Sequence, residues 1–181
     1  MAPWHTRSST TVYENPWIRV REDAVDRPDG EPGIYGVVTL RNAAVFIVAL
    51  TDDDEVVLVE VDRYTTGRSL EVPAGGSDGE DPLAAAQREL REETGLLADT
   101  WEPIGKMFAL NGICEAPEHV FLARGLHAAD PHLADQAEEG IVAVRRVPWA
   151  DVLDLLRDGT ITDGESVAAL MHAAIALGRV R

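Results

Sequence analysis

The sequence predicts an α/β protein: a mixed sheet with helices on both faces, preceded by a β extension. Three observations predict it. Short β-rich runs lead into a helix, and further runs lead into two more helices, an order that suits a covered mixed sheet. Ala43–Leu50 is apolar throughout and reads as a strand. Glu80–Leu96, EDPLAAAQRELREETGL, carries the start and stop signals of a helix.

In chain order, residues 1–16 carry Pro3, Ser8, Ser9 and Pro16 and few aliphatics, which predicts an extended arm. Trp17–Glu22 and Tyr35–Leu40 are β-rich, with the turn-forming Asp26–Gly33 between them. The strand at Ala43–Leu50 passes through the acidic turn Thr51–Asp54 into Val56–Val61, a short linker that favours a hairpin. Asp62–Gly79 reads as loop crossed by a short strand at Leu70–Val72. After the helix, Trp101–Ala109 and Glu118–Ala123 read as strands flanking the irregular Leu110–Pro117. Gly125–Glu139 is a polar loop, Ile141–Val147 a strand, Pro148 to Arg157 a helix, and Ser166–Leu177 an Ala-rich helix.

In the central helix, Asp81 suits the N-cap, Pro82 the first position and Gly95 the left-handed residue after the end. Leu83, Ala86 and Leu90 share one face and supply the buried stripe. Glu89, Glu92 and Glu93 fall within an arc of about 100° on another. Carboxylates so spaced repel, each pair costing roughly 0.2–0.5 kcal/mol in an isolated helix. Arg88, one turn before Glu92, relieves part of this. Such a face is either simply solvated or a ligand set for a hard divalent cation, which takes carboxylate oxygens.

The 181 residues suffice for one domain with a modest extension. A formal net charge of −16 argues against nucleic acid and anionic membranes as partners. The one cysteine, Cys114, excludes an internal disulfide, and the five histidines show no ligand spacing. No apolar run approaches a membrane span, and the start lacks the apolar segment of a signal peptide, so a cytoplasmic protein is expected.

Glu80, seven residues, then Arg88-Glu89-Leu90-Arg91-Glu92-Glu93-Thr94-Gly95-Leu96 resembles the Nudix box. One position departs: the first glycine of the motif falls on Ala74, with Gly75 and Gly76 following. Either the loop is one residue short or Ala74 replaces the glycine. Val56–Tyr64 (VVLVEVDRY), Leu70–Gly75 (LEVPAG), Gly112–Glu115 (GICE) and Glu138–Ile141 (EEGI) extend the likeness, which resembles the ADP-ribose pyrophosphatase branch over about Ala43–Gly178. The resemblance implies the Nudix α/β/α sandwich at residues 42–178. Residues 1–41 become an N-terminal arm and strands that serve as a dimerisation element or extend the same sheet.

It also implies a metal site of Glu89, Glu92 and Glu93, with a backbone carbonyl from Ala74 or Gly75, for Mg²⁺ or alternatively Mn²⁺. Arg88 would hold the glutamates. Glu80 would bind metal through water or stiffen the loop. The general base would come from Glu138 or Glu139, with Glu115 a second candidate for base helper or substrate contact. Arg63 and Arg68 could grip the diphosphate, since guanidinium forks match phosphate oxygens, or the terminal ribose, and Glu71 could touch the adenosine or tie down an arginine. The implied activity is Mg²⁺-dependent hydrolysis of a nucleoside diphosphate derivative, first ADP-ribose to AMP and ribose 5-phosphate, by a homodimer acting on a small nucleotide. The alternatives are another nucleotide substrate (a nucleotide sugar, dinucleotide or nucleoside triphosphate) and a nucleotide sensor without turnover.

Overall fold

A computed structural model describes residues 3–129, 136, 137 and 139–180. It divides into two compact units. One runs through Ala43 and takes in Phe108–Pro117; the other comprises Ala44–Met107 and the chain from Glu118 on.

The first unit is a four-stranded sheet in which β1 (His5–Glu14), β2 (Ile18–Asp26) and β3 (Pro32–Leu40) form an antiparallel meander. The two-residue strand Cys114–Glu115 joins β3 in parallel. Where an extended arm was expected, β1 forms a strand. All ten of its residues are exposed, so no alternation of apolar side chains marks it, and backbone pairing with β2 holds it through two register shifts. Gly30, at φ 88°, closes the turn between β2 and β3.

Within this sheet the Arg21 guanidinium donates to both oxygens of Glu115, at 2.8 and 2.6 Å, and Thr39 Oγ1 donates to Glu115 Oε2 at 2.7 Å. The Arg21 fork, aided by Thr39, lowers the Glu115 pKa to about 2. A depressed carboxylate stabilises the fold above its unfolded pKa and loses that contribution as pH falls toward the folded value. Arg21→Met should therefore lower the urea midpoint at pH 6, and the difference should shrink as pH drops from about 4.5 toward 2. An equal difference at both ends would refute the pairing.

The second unit is built on a seven-stranded mixed sheet. Its path pairs β4 (Ala44–Leu50) with β5 (Glu55–Arg63) on one side and with β10 (Pro117–Ala128) on the other. Outside these lie β11 (Ile141–Pro148) against β5, and β8 (Leu96–Phe108) against β10. Strand β10 runs parallel to β4, from Glu118 opposite Ala44 to Ala123 opposite Ala49. Strand β5 meets β4 only at Ala49 and Leu50. The rest of that edge is taken by β7 (Ala74–Gly76), while β6 (Gly67–Glu71) pairs with β5. The segment read as loop with one short strand thus holds two strands, because β4 and β5 diverge and leave an edge to fill.

Alternation along β4 explains the layers. Val45, Ile47 and Ala49 pack with Ala85, Ala86 and Leu90 of α1 (Pro82–Thr94). Val48 and Leu50 pack on the other side with Trp149 and Val152 of α2 (Trp149–Arg157) and Leu170 and Ala173 of α3 (Gly164–Ala176). This is the expected α/β/α sandwich. The buried stripe of α1 differs by one turn position: Leu83 is exposed, and Ala85 is buried in its place. Among the described residues, no helix is long and apolar enough to cross a membrane.

Candidate active site

Helix α1 begins where Asp81 accepts from the backbone N–H of Leu83 at 3.0 Å and ends at Gly95 with φ 69°, as its capping residues demand. The helix is therefore locked in phase, and its phase turns Glu89 and Glu93 inward beneath β7. Both are buried, with exposures of 4% and 3%. A buried carboxylate is costly unless partnered, and each has partners here. Glu93 Oε2 accepts the Ala74 backbone N–H at 2.9 Å. Glu89 Oε1 accepts Arg88 Nη1 at 2.7 Å.

Arg88 is the organiser. Its guanidinium also donates to Glu92 Oε2 at 3.0 Å, to Glu80 Oε2 at 3.2 Å and to the Gly76 carbonyl at 2.8 Å. One side chain thus ties helix and loop into a unit that includes Glu80.

Gly75 sits where a side chain has no room. A Cβ built there would overlap the Glu89 carboxylate, whereas one at Gly76 would meet nothing nearer than Asp78 Oδ1 at 3.5 Å. The glycine that the geometry requires is therefore Gly75, and Ala74 contributes through its backbone. Sequence spacing left this open.

Glu89, Glu93 and Glu139 each offer a carboxylate oxygen within 4.8 Å of the others. Glu139 is exposed and lies two residues before β11. Burial, opposed by Arg88, pushes the Glu89 pKa up to about 7, and burial pushes Glu93 well above the usual carboxylate range. Three hard oxygen donors converging from a helix and a distant loop fit a divalent cation of the Mg²⁺ type. Glu92 stands outside this trio, with its carboxylate on Arg88. Glu138 lies outside the described residues.

A cavity of about 340 Å³ opens beside β7, lined by Arg63, Glu71, Ala74, Gly75 and, from the start of α3, Asp163 and Glu165. Arg63 is held by Glu71, with Nη2 donating to Oε2 at 2.6 Å and Nε to Oε1 at 3.2 Å. Glu71 is buried, so the fork fixes the guanidinium at the wall. Arg68, its expected companion, pairs with Asp62 and Glu60 and lines a separate cavity of about 390 Å³. Alternation along the hairpin explains the divergence: on paired strands, Arg63 opposes Gly67 and Arg68 opposes Asp62. Glu115 lies in the other unit, on Arg21. Asp163 and Glu165 had no motif to mark them.

Known proteins resemble the chain in sequence and in fold. The NUDIX domain family matches residues 40–170, and a family described as the nucleoside diphosphate sugar hydrolase N-terminal domain matches residues 4–38. The chain is similar to an ADP-ribose pyrophosphatase of Mycobacterium tuberculosis, 33% identical over 93% of this chain and 82% of that protein. It is also similar to a GDP-mannose pyrophosphatase of Yersinia pestis, 29% identical over 74% of this chain and 71% of that one. In fold it matches a solved ADP compounds hydrolase, at a TM-score of 0.83 and 24% identity, over 99% of this chain and 98% of the other.

Proposed function

The chain belongs to the NUDIX hydrolase family, and on that premise we propose that it cleaves the diphosphate linkage between a nucleoside and a sugar, ADP-ribose first. The convergence of Glu89, Glu93 and Glu139 beside a cavity holding Arg63 carries this reading. The relative in M. tuberculosis and the nucleoside diphosphate sugar hydrolase match at the N-terminal unit support it. The GDP-mannose relative supports a second substrate of the same class.

Glu89 and Glu93 are the residues that would hold Mg²⁺ or Mn²⁺, with Glu139 beside them. When bound, such an ion neutralises charge on the diphosphate oxygens. Arg63 presents its guanidinium to those oxygens, and Glu71 fixes its direction. This local cation matters in a chain of net charge −16, which otherwise repels anions.

Glu139 is the exposed member of the trio and the candidate general base: its carboxylate takes the proton of the attacking water. The water oxygen bonds to one phosphorus, the bridging P–O bond breaks, and ADP-ribose yields AMP and ribose 5-phosphate. Arg88 acts by positioning, a role its bonds to Glu80, Glu89, Glu92 and the Gly76 carbonyl support. The reading extends to a cytoplasmic homodimer formed through the N-terminal sheet, whose first strand is wholly exposed; a solution mass of a single 19.6 kDa chain would contradict the dimer.

The test is a panel of ADP-ribose, GDP-mannose and ATP, with products identified by mass, in Mg²⁺ and in EDTA. We expect AMP and ribose 5-phosphate from ADP-ribose in Mg²⁺ only. Binding of ADP-ribose without any product would make the protein a sensor.

A further inference from the structure

Glu118 begins the run of β10 that pairs with β4, opposite Ala44, and Ala44 lines the cavity that holds Arg63. Alternation puts Glu118 on the same face of β10 as Val120 and Leu122, which pack with Leu170 of α3. That position belongs to the apolar core, yet it carries a carboxylate. Glu118 is 4% exposed, and its Oε2 is buried with no hydrogen-bond partner among the described residues. An unpaired buried polar atom of this kind is uncommon and calls for a partner.

The carboxylates of Glu165 and Asp163, whose charge acts on Glu118, both line the cavity. Their placement is fixed by the start of α3. Asp163 Oδ2 caps the helix by accepting the Ser166 N–H at 2.7 Å, and Ser166 Oγ accepts the Val72 N–H at 3.0 Å. Phe46 lines the same cavity and supplies an apolar ring.

We propose that Asp163 and Glu165 in the wall of the Arg63 cavity, with Glu118 beside it next to Ala44, form a hydroxyl-reading subsite, which selects nucleoside diphosphates whose far end is an uncharged polyhydroxylated sugar. A sugar hydroxyl donates the hydrogen bond that a carboxylate oxygen accepts, and acidic residues hold ribose hydroxyls elsewhere in nucleotide-binding proteins. An apolar wall with a few convergent polar groups is the usual make-up of such a site. A terminal phosphate, by contrast, would face three acids. The subsite rests on the diphosphatase reading and names the substrate class within it.

The test compares Glu118→Leu and Glu165→Gln with the parent on ADP-ribose and on ATP, both with saturating Mg²⁺. Leucine suits a buried strand position, and Glu165→Gln stands in the first turn of α3, outside the core, so the pair guards against a folding artefact. We expect the ratio of kcat/KM for ADP-ribose over ATP to fall at least tenfold in each, mainly through a raised KM for ADP-ribose, since a site built to bond hydroxyls loses discrimination when its polar groups go. An unchanged ratio overturns the proposal. So does an equal loss on both substrates, or a change in the Mg²⁺ concentration needed for half activity, which would make the acids a metal site. If the parent turns over neither substrate, calorimetric binding of ADP-ribose and of ATP to the same three proteins gives the ratio instead. That failure would count against the catalytic reading alone.

Discussion

Glu93→Gln is expected to lower turnover of ADP-ribose by at least two orders of magnitude, about 2.7 kcal/mol of barrier, while the protein stays folded. Glutamine keeps the shape and an acceptor for the Ala74 N–H, which Glu93 now takes at 2.9 Å. It removes one negative oxygen from the trio with Glu89 and Glu139. Because burial disfavours the charged form at this 3% exposed site, the metal-free variant should be as stable as the parent at pH 8, or more so. Rates read by product mass and a urea unfolding curve settle both halves. Loss of fold alongside activity would make Glu93 a structural residue. Glu89→Gln should follow the same pattern, with the added loss of the charge that faces Arg88.

Gly75→Ala is the second large effect, and it needs no change of charge. A methyl group at that position overlaps the Glu89 carboxylate, so Glu89 must move and its 2.7 Å bond from Arg88 must break or bend. A misplacement of this size costs roughly 10²-fold in rate. Gly76→Ala is the control, because its methyl meets only Asp78 Oδ1 at 3.5 Å, an ordinary contact. Neither glycine has positive φ, so the backbone tolerates alanine at both, and the two variants differ in the carboxylate alone. Equal activity in both would show that Glu89 need not sit where the structure puts it.

What could be read from residues alone follows a physical divide. Helix α1 was legible because its caps, Asp81 and Gly95, act on neighbours a few positions away. So was the apolar β4, whose burial on both faces leaves no polar residue to confuse the period. Strand β1 was not, since its stability comes from backbone pairing and not from any buried face.

The site divides in the same way. Glu89, Glu93 and Arg88 lie within one helix, where a fixed period brings them together. Glu139 joins them from a loop 46 positions beyond Glu93 (139 − 93), and nothing local separates it from its neighbour Glu138. Arg63 and Arg68 look alike in sequence, yet the hairpin sends only Arg63 to the cavity beside β7. Glu118, Asp163 and Glu165 belong to no motif. The signal at Glu118 is an acid placed where the strand pattern asks for an apolar residue, and it emerges only when the sheet register is known.

The most direct measurement is a titration of the parent and Glu93→Gln with Mn²⁺, following the free ion by electron paramagnetic resonance. The account predicts tight uptake by the parent, competed by Mg²⁺, and at least tenfold weaker uptake by the variant. Equal uptake by the two proteins would contradict it, for the buried acids of α1 would then have no part in holding the ion.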